Sequence, residues 1–215
     1  MQINLKLLES NSNIHKSILQ EISKYVDVAI SKSLADIKTD IEKIVLDSVK
    51  NEPEYLSLKN GQLRYEFGIP DTSVIDSILE KIILTINIHK KNTTFNQSGV
   101  IGGFILTALD ENDIMSFTSL SEAMVIDTKN GYSLPWLKWL LLEGAKPIVK
   151  NYDVKVGPNR ASRTGMAVMI KDSGSWSVPN AFIGTQNNNW FTRAIDNINN
   201  NSIENSIIHN LEKYL

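Results

Sequence analysis

The sequence of 215 residues is 42% hydrophobic and 21% charged, and its formal net charge is −2. Such a chain can bury a core, which excludes disorder throughout, and its interleaved charges exclude the broad basic surface of a protein that wraps nucleic acid. The absence of cysteine excludes disulfides and thiolate metal sites.

A membrane location is not expected from the hydrophobic pattern. The first sixteen residues lack the apolar stretch of a signal peptide, and no window approaches the ~20 apolar residues of a membrane span. We therefore expect no membrane partner, and a soluble protein that is made in the cytoplasm.

A long helical arm is predicted over about residues 12–50. Apolar residues recur in steps of three and four, from Ile14 through Ile18, Ile22 and Val26 to Val45, which places one apolar stripe along a helix. Pro53 ends it, because a proline blocks continuation.

The next segments are short. Pro53–Leu58 is predicted to form a turn of helix with proline at its permitted first position. Residues 58–68 are predicted to form a turn followed by an alternating, extended segment. A second helix is expected from a cap at Asp71 or Thr72 to about Lys81.

The middle of the chain has the pattern of strands. Leu84, Ile86 and Ile88 alternate with polar residues, Val100–Leu109 is apolar and β-branched, and Glu122–Asp127 is a possible third strand. Gly102-Gly103 predicts a bulge or a close backbone contact, and Asn130-Gly131 predicts a turn.

The second half alternates between apolar helices and polar loops. The predicted elements are a helix at Tyr132–Gly144 with Ser133 as its cap, a strand at Ile148–Val156, a polar loop at Asn159–Gly165, a short apolar segment at Met166–Lys171, a helix at Asn187–Asn197 and a last helix at about 202–215. The polar stretch Asn197–Asn201 is interpreted as a linker.

These elements predict an α+β fold, with a long N-terminal helix and a small, mostly antiparallel sheet flanked by helices. The length suits a single domain over 1–215, made of the arm at 12–50, a core at about 54–196 and the C-terminal helix at about 202–215.

No catalytic, cofactor or metal site is predicted. His15, His89 and His209 have no second ligand at metal spacing, and Asp110–Asp113 lacks the glycine and closing glutamate of a calcium loop. The glycines at 99, 102 and 103 do not form a nucleotide-binding pattern, and carboxylates could act in pairs only if folding joined them.

One polar cluster is a candidate contact site. Lys155, Arg160 and Arg163 include half of the four arginines, and they could bind phosphate or a partner's carboxylate; a solvated loop is the favoured alternative. The tryptophans at 136 and 139 are expected in the core, whereas those at 176 and 190 suit a core or an interface.

Three segments, in order along the chain, resemble the tail-completion and head–tail joining (neck) proteins of long-tailed bacteriophages, with a myophage-like character. They are Leu58-Lys-Asn-Gly61-Gln-Leu63-Arg64, Trp136-Leu-Lys-Trp139-Leu-Leu-Leu-Glu143-Gly144 and Asn188-Asn189-Trp190-Phe191-Thr-Arg193-Ala194-Ile195. Residues 162–169 and 176–185 resemble further segments of neck proteins. The chain departs from the family pattern at three points. Phe67-Gly68 stands where the family usually has Ser-Ile, Leu142 stands where an aromatic residue usually precedes the glycine, and the insertion between the second and third segments is long.

The resemblance implies a structural virion protein rather than an enzyme. It implies a homo-oligomeric ring, expected to be a hexamer, that completes the tail and joins it to the head connector. The expected partners are copies of itself, the connector or adaptor, the tail terminator or tube, and genomic DNA that passes through the lumen without specific binding. The candidate interface residues are Arg160, Arg163, Arg193, Trp190 and Phe191.

Other functions stay open at this point. The chain could cap the tail tube as a tail terminator. It could also be a DNA-binding protein that uses Arg160 and Arg163, or a carboxylate-dependent hydrolase that uses Asp110 or Asp113.

Overall fold

A computed structural model describes residues 10–96, 98–107, 111–127 and 131–215, with the side chains of 111 and 112 left out. Its eight described α-helices are α1 (Asn11–Asn51), α2 (Pro53–Asn60), α3 (Gln62–Phe67), α4 (Ser73–Ile83), α5 (Glu111–Thr118), α6 (Trp136–Leu141), α7 (Trp190–Asp196) and α8 (Asn200–Glu212). The described strands are β1 (Asn87–Asn96), β2 (Gly99–Thr107), β3 (Val125–Asp127), β4 (Tyr132–Leu134), β5 (Val149–Val156) and β6 (Ala167–Trp176).

The α+β class and the long N-terminal helix are confirmed. Within the described residues the strands form three separate antiparallel pairs, β1–β2, β3–β4 and β5–β6, where the sequence predicted one small sheet. Contacts divide the chain into two compact units. The organisation of residues 1–215 as a single domain stays a prediction.

The first unit contains the described residues up to Ile41, Asn87–Thr107 and Asn201–Leu215. Its hairpin has a bulge, since register shifts between the pairs Lys91–Gly103 and Thr94–Ile101. A Cβ at Gly102 would lie 2.9 Å from Thr93 Oγ1, so the predicted close contact exists.

An ion pair joins this hairpin to α1 within the first unit. Lys90 pairs with Asp27 of α1, which holds the pKa of the Asp27 carboxyl below its usual range.

The second unit contains Glu42–Ile86 and the described part of Ala108–Asn200. Its core is built from apolar residues that recur every three or four positions on the helices, as in the buried face of α4. The fully or almost fully buried residues include Leu58, Leu63, Phe67, Ile75, Ile78, Leu79, Trp136, Leu137, Leu140 and Trp190.

Several predicted boundaries are wrong. Residues 62–67 form a helix instead of an extended segment, because Leu63 and Phe67 lie one turn apart and both are buried. The strand predicted from Leu84 begins only at Asn87, after α4 and a turn. The helix predicted from Tyr132 begins at Trp136, because Tyr132–Leu134 pairs with β3 and makes Ser133 a strand residue rather than a cap.

Candidate functional site

Two of the predicted interface residues lie in the interior of the second unit. Trp190 and Phe191 open α7, where their side chains are 1% and 2% exposed. Their rings are 4.7 Å apart in an edge-to-face arrangement, which stabilises aromatic pairs beyond area burial alone. Their side chains therefore contribute to the core and offer almost no surface to a partner.

Arg193 joins α7 to α2 by an internal ion pair. Its Nη2 donates to Glu54 Oε1, and its Nη1 donates to Asn188 Oδ1 at 3.0 Å. Glu54 is 2% exposed. Burial raises the pKa of Glu54, because the charged carboxylate loses hydration, and the nearby guanidinium opposes this effect. Arg193 therefore makes an internal ion pair while its side chain stays 33% exposed, and its role at an interface stays a prediction.

The sequence prediction missed Asn189 as a key residue of this region. Its side chain is fully buried, accepts hydrogen bonds from the backbone N–H groups of Phe191 and Thr192, and donates to Thr185 O at 3.1 Å. Thr192 Oγ1 accepts from the Asn189 N–H at 2.8 Å, which completes a capping box. The sequence contains a signal for this cap. Asparagine is one of the preferred N-cap residues, and Thr192 lies three residues after Asn189, at the position whose side chain can bond back to the cap.

At Gly184 the backbone of the segment before α7 approaches the backbone of α6 very closely. A Cβ on residue 184 would lie 1.8 Å from the carbonyl oxygen of Leu140, at the end of α6. The Gly184 carbonyl also accepts a hydrogen bond of 3.0 Å from the N–H of Gly144. Only glycine fits, and the contact fixes the segment before α7 against the end of α6.

The basic cluster lies on the β5–β6 hairpin, which carries Lys155 and the connecting loop with Arg160 and Arg163, all exposed. The loop is organised by its own hydrogen bonds, from Gly157 N to Met166 O at 2.7 Å and from Asn159 N to Gly165 O at 2.9 Å. The structure therefore presents these basic side chains at the surface from a defined backbone. Arg163 also lies beside Gly68, at the end of α3.

One face of the same hairpin is apolar and exposed. In antiparallel pairing, facing residues share a side of the ribbon, and the pairs Tyr152–Lys171, Val154–Met169 and Val156–Ala167 define this face. Tyr152, Val156 and Met169 are 39%, 50% and 42% exposed. We call this surface the ribbon face.

A cavity of about 450 Å³ lies next to α7. Its apolar walls come from Ile82, Phe117, Leu141 and Phe191, among others, and exposed Gln186, Asn187 and Asp196 contribute polar groups. Such a cavity can hold a small, mainly apolar group.

The described residues contain no group of three His, Cys, Asp or Glu side chains that could hold a metal ion. Asp110 of the predicted acidic loop lies outside the described residues, as do the side chains of Glu111 and Asn112. No helix in the described part of the chain is long and apolar enough to cross a membrane.

Comparison with known proteins does not assign the chain to a class or to a particular protein. No family model, no curated protein and no solved structure matches it.

Proposed function

We propose that this chain is a structural protein of the neck of a long-tailed bacteriophage. In this proposal it is made in the host cytoplasm, forms a ring of six copies in the virion, and joins the completed tail to the head connector. It performs no chemistry. Its work is to hold copies of itself and the neighbouring neck and tail proteins together.

The observation that carries the proposal is an exposed apolar stripe on α1. Ile18, Ile22 and Tyr25 are spaced by four and three residues, which puts them on one face of the helix, and they are 52%, 44% and 70% exposed. Contiguous exposed apolar surface of this kind marks interaction sites. In the first unit, therefore, the helix has surface suited to another protein.

The segments that resemble neck proteins also support a structural role. Each contributes buried residues to the second unit: Leu63 at the start of α3, Trp136 at the start of α6 and Trp190 at the start of α7 are at most 1% exposed. The core residues determine how the helices and strands pack together. If this chain shared its fold with neck proteins, we would expect the similar residues to lie in the core, as these do.

The net charge suits a ring through which DNA passes. A chain of net charge −2 gives the lumen no strong overall attraction for phosphate, so a genome could move through without being held. The partners in this proposal are the head connector or adaptor on one side and the tail terminator or tube on the other.

Imaging of particles tests the proposal. We expect antibody fragments against this chain, viewed by negative-stain electron microscopy, to label the neck between head and tail. Headless tails labelled at their upper tip would instead indicate the tail-terminator role. Purified particles that contain no copy of the chain would contradict both.

A further inference from the structure

Positive charge is concentrated on the β5–β6 hairpin of the second unit. Residues 149–176 contain five basic and two acidic residues, a net charge of +3, whereas the whole chain has a net charge of −2. The rest of the chain therefore carries −5. The hairpin is a basic surface on an acidic chain, and such a surface attracts anions locally although the overall charge does not.

The chain's own carboxylates do not neutralise this hairpin. Four of its basic side chains are exposed, namely Lys155, Arg160, Arg163 and Lys171. None of the four forms an ion pair within the part of the chain that the structure describes. The carboxylates of Asp153 and Asp172 each accept a hydrogen bond from the next backbone N–H, at 2.8 and 2.6 Å. The four cations are therefore available to an external anion.

A further guanidinium lies near the loop of this hairpin. The Arg163 Nη1 would be 3.7 Å from a Cβ at Gly68, just after α3. Arg64 of α3 donates from Nε to Ile69 O at 3.4 Å and from Nη2 to Pro70 O at 3.3 Å. Both side chains thus reach the same short segment after α3, and Arg64 adds positive charge beside the loop.

The spacing of the cations fits a polyanion better than a single small anion. Lys171 lies opposite Tyr152 in the ladder, three residues from Lys155, which is about 10 Å along a strand. Lys155 and Lys171 are on opposite faces of the ribbon, and Arg160 and Arg163 are in the loop between the strands. The cations surround the end of the hairpin, so a row of anionic groups can reach several of them at once.

A nucleic acid is the polyanion that these groups fit best. Its strands carry a phosphate about every 3.4 Å, and a guanidinium binds phosphate through two parallel hydrogen bonds. A second copy of this chain is a poorer partner, because ion pairs already hold many of its carboxylates, such as those of Asp76, Glu122 and Glu143.

We propose that the β5–β6 hairpin binds the phosphate backbone of a nucleic acid without reading its sequence. Arg160 and Arg163 make the main contacts, and Lys155 and Lys171 add charge on either side. Contacts to phosphate position a protein but carry no sequence information. The inference goes beyond the proposed neck role and does not rest on it. In a neck, the contact would be a reversible one with the DNA that passes.

Fluorescence anisotropy of a short labelled DNA duplex, titrated with the full-length chain at several salt concentrations, tests the proposal. We expect the logarithm of the affinity to fall with the logarithm of salt concentration with a slope of about −3 to −4, the value for four phosphate contacts. Replacing Arg160→Gln and Arg163→Gln together should weaken binding about tenfold or more at low salt and make the slope shallower by about two. A duplex of unrelated sequence should bind within about twofold.

The matched control replaces Lys16→Gln and Lys32→Gln on α1. Both lysines are exposed and form no ion pair among the described residues, so this variant removes the same charge outside the hairpin. Its affinity should stay within about threefold of the wild type. Circular dichroism checks folding. If the arginine variant does not fold, Lys155→Gln with Lys171→Gln carries the test and should flatten the slope by about two.

A comparison of the duplex with one of its separated strands shows which form the hairpin prefers, and either preference supports a phosphate contact. Three results would overturn the proposal. They are no binding of DNA at low salt, an equal loss of binding in the α1 control, and equally tight binding of a poly-glutamate with as many charges. The last result would assign the hairpin to an acidic protein surface. The neck proposal is tested separately by imaging of particles and survives each of these results.

Discussion

At the scale of single residues, the α2–α7 contact combines burial with incomplete hydrogen bonding. Glu54 accepts from Arg193 through one oxygen, while its Oε2 and the indole N–H of Trp190 are buried without a hydrogen-bond partner among the described atoms. Buried polar groups in this state cost free energy. Because the loss of hydration offsets the attraction between buried charges, the ion pair adds little net stability to the fold.

The close approach at Gly184 gives a prediction at the same scale. Gly184→Ala should lower the free energy of unfolding by about 1–3 kcal/mol, the range for overpacked sites, because its Cβ would collide with the Leu140 carbonyl oxygen. Urea unfolding followed by tryptophan fluorescence measures the change. Gly174→Ala is the control, since its Cβ would meet no atom within 4 Å; equal stability of the two variants would show that the contact is not a tight one.

Residue chemistry alone could not have placed the five predicted interface residues. Tryptophan and phenylalanine serve both cores and interfaces, so Trp190 and Phe191 could be read either way until their burial was known. Arg193 finds its acidic partner 139 residues away in sequence, and no local pattern reports that pairing. Arg160 and Arg163 lie in a loop of polar residues, and the sequence correctly suggested that this loop is at the surface.

At the scale of elements, the helical period predicted α1 almost to the residue. The period is less informative where a segment is short. The alternation of Leu63, Tyr65 and Phe67 fits a strand, but Leu63 and Phe67 also lie one helical turn apart. Both are buried in the structure, and the segment forms a helix. The start of α6 was wrong for a similar reason, because Tyr132–Leu134 found a pairing partner in β3.

The attachment of α8 to α1 in the first unit is polar. Asp40 accepts hydrogen bonds from Asn210 Nδ2 at 2.7 Å and Ser206 Oγ at 3.0 Å. The bond from Asn210 is the main reason that the pKa of Asp40 lies below its ordinary value. A lowered pKa in the folded state means that this stabilisation is complete above about pH 3.9, the unfolded value, and is lost as the pH falls through the folded value.

We therefore expect the Asn210→Ala substitution to raise the pKa of Asp40 toward its ordinary value and to loosen α8 at neutral pH. A pH titration of the Asp40 carboxyl by NMR measures the first effect. Tyr214→Phe is the control, because that hydroxyl donates to Asp36 instead. An Asp40 pKa that does not respond to the loss of Asn210 would contradict the hydrogen-bonded attachment.

At the scale of the whole molecule, the α+β class followed from alternating helical and strand patterns, but the pairing of the strands did not. Which strand pairs with which depends on contacts between distant residues, and a sequence read locally does not contain them. The same is true of the ribbon face, because only the register of β5–β6 shows that its exposed apolar side chains share one side of the hairpin.

The proposed role in the neck requires that copies of this chain associate through their exposed apolar surfaces. The mass of the purified protein in solution, measured by light scattering as a function of concentration, tests it most directly. We predict a closed assembly of about 145 kDa, six times the 24.1 kDa chain. A mass of 24.1 kDa at every concentration, from protein that is folded, would contradict it.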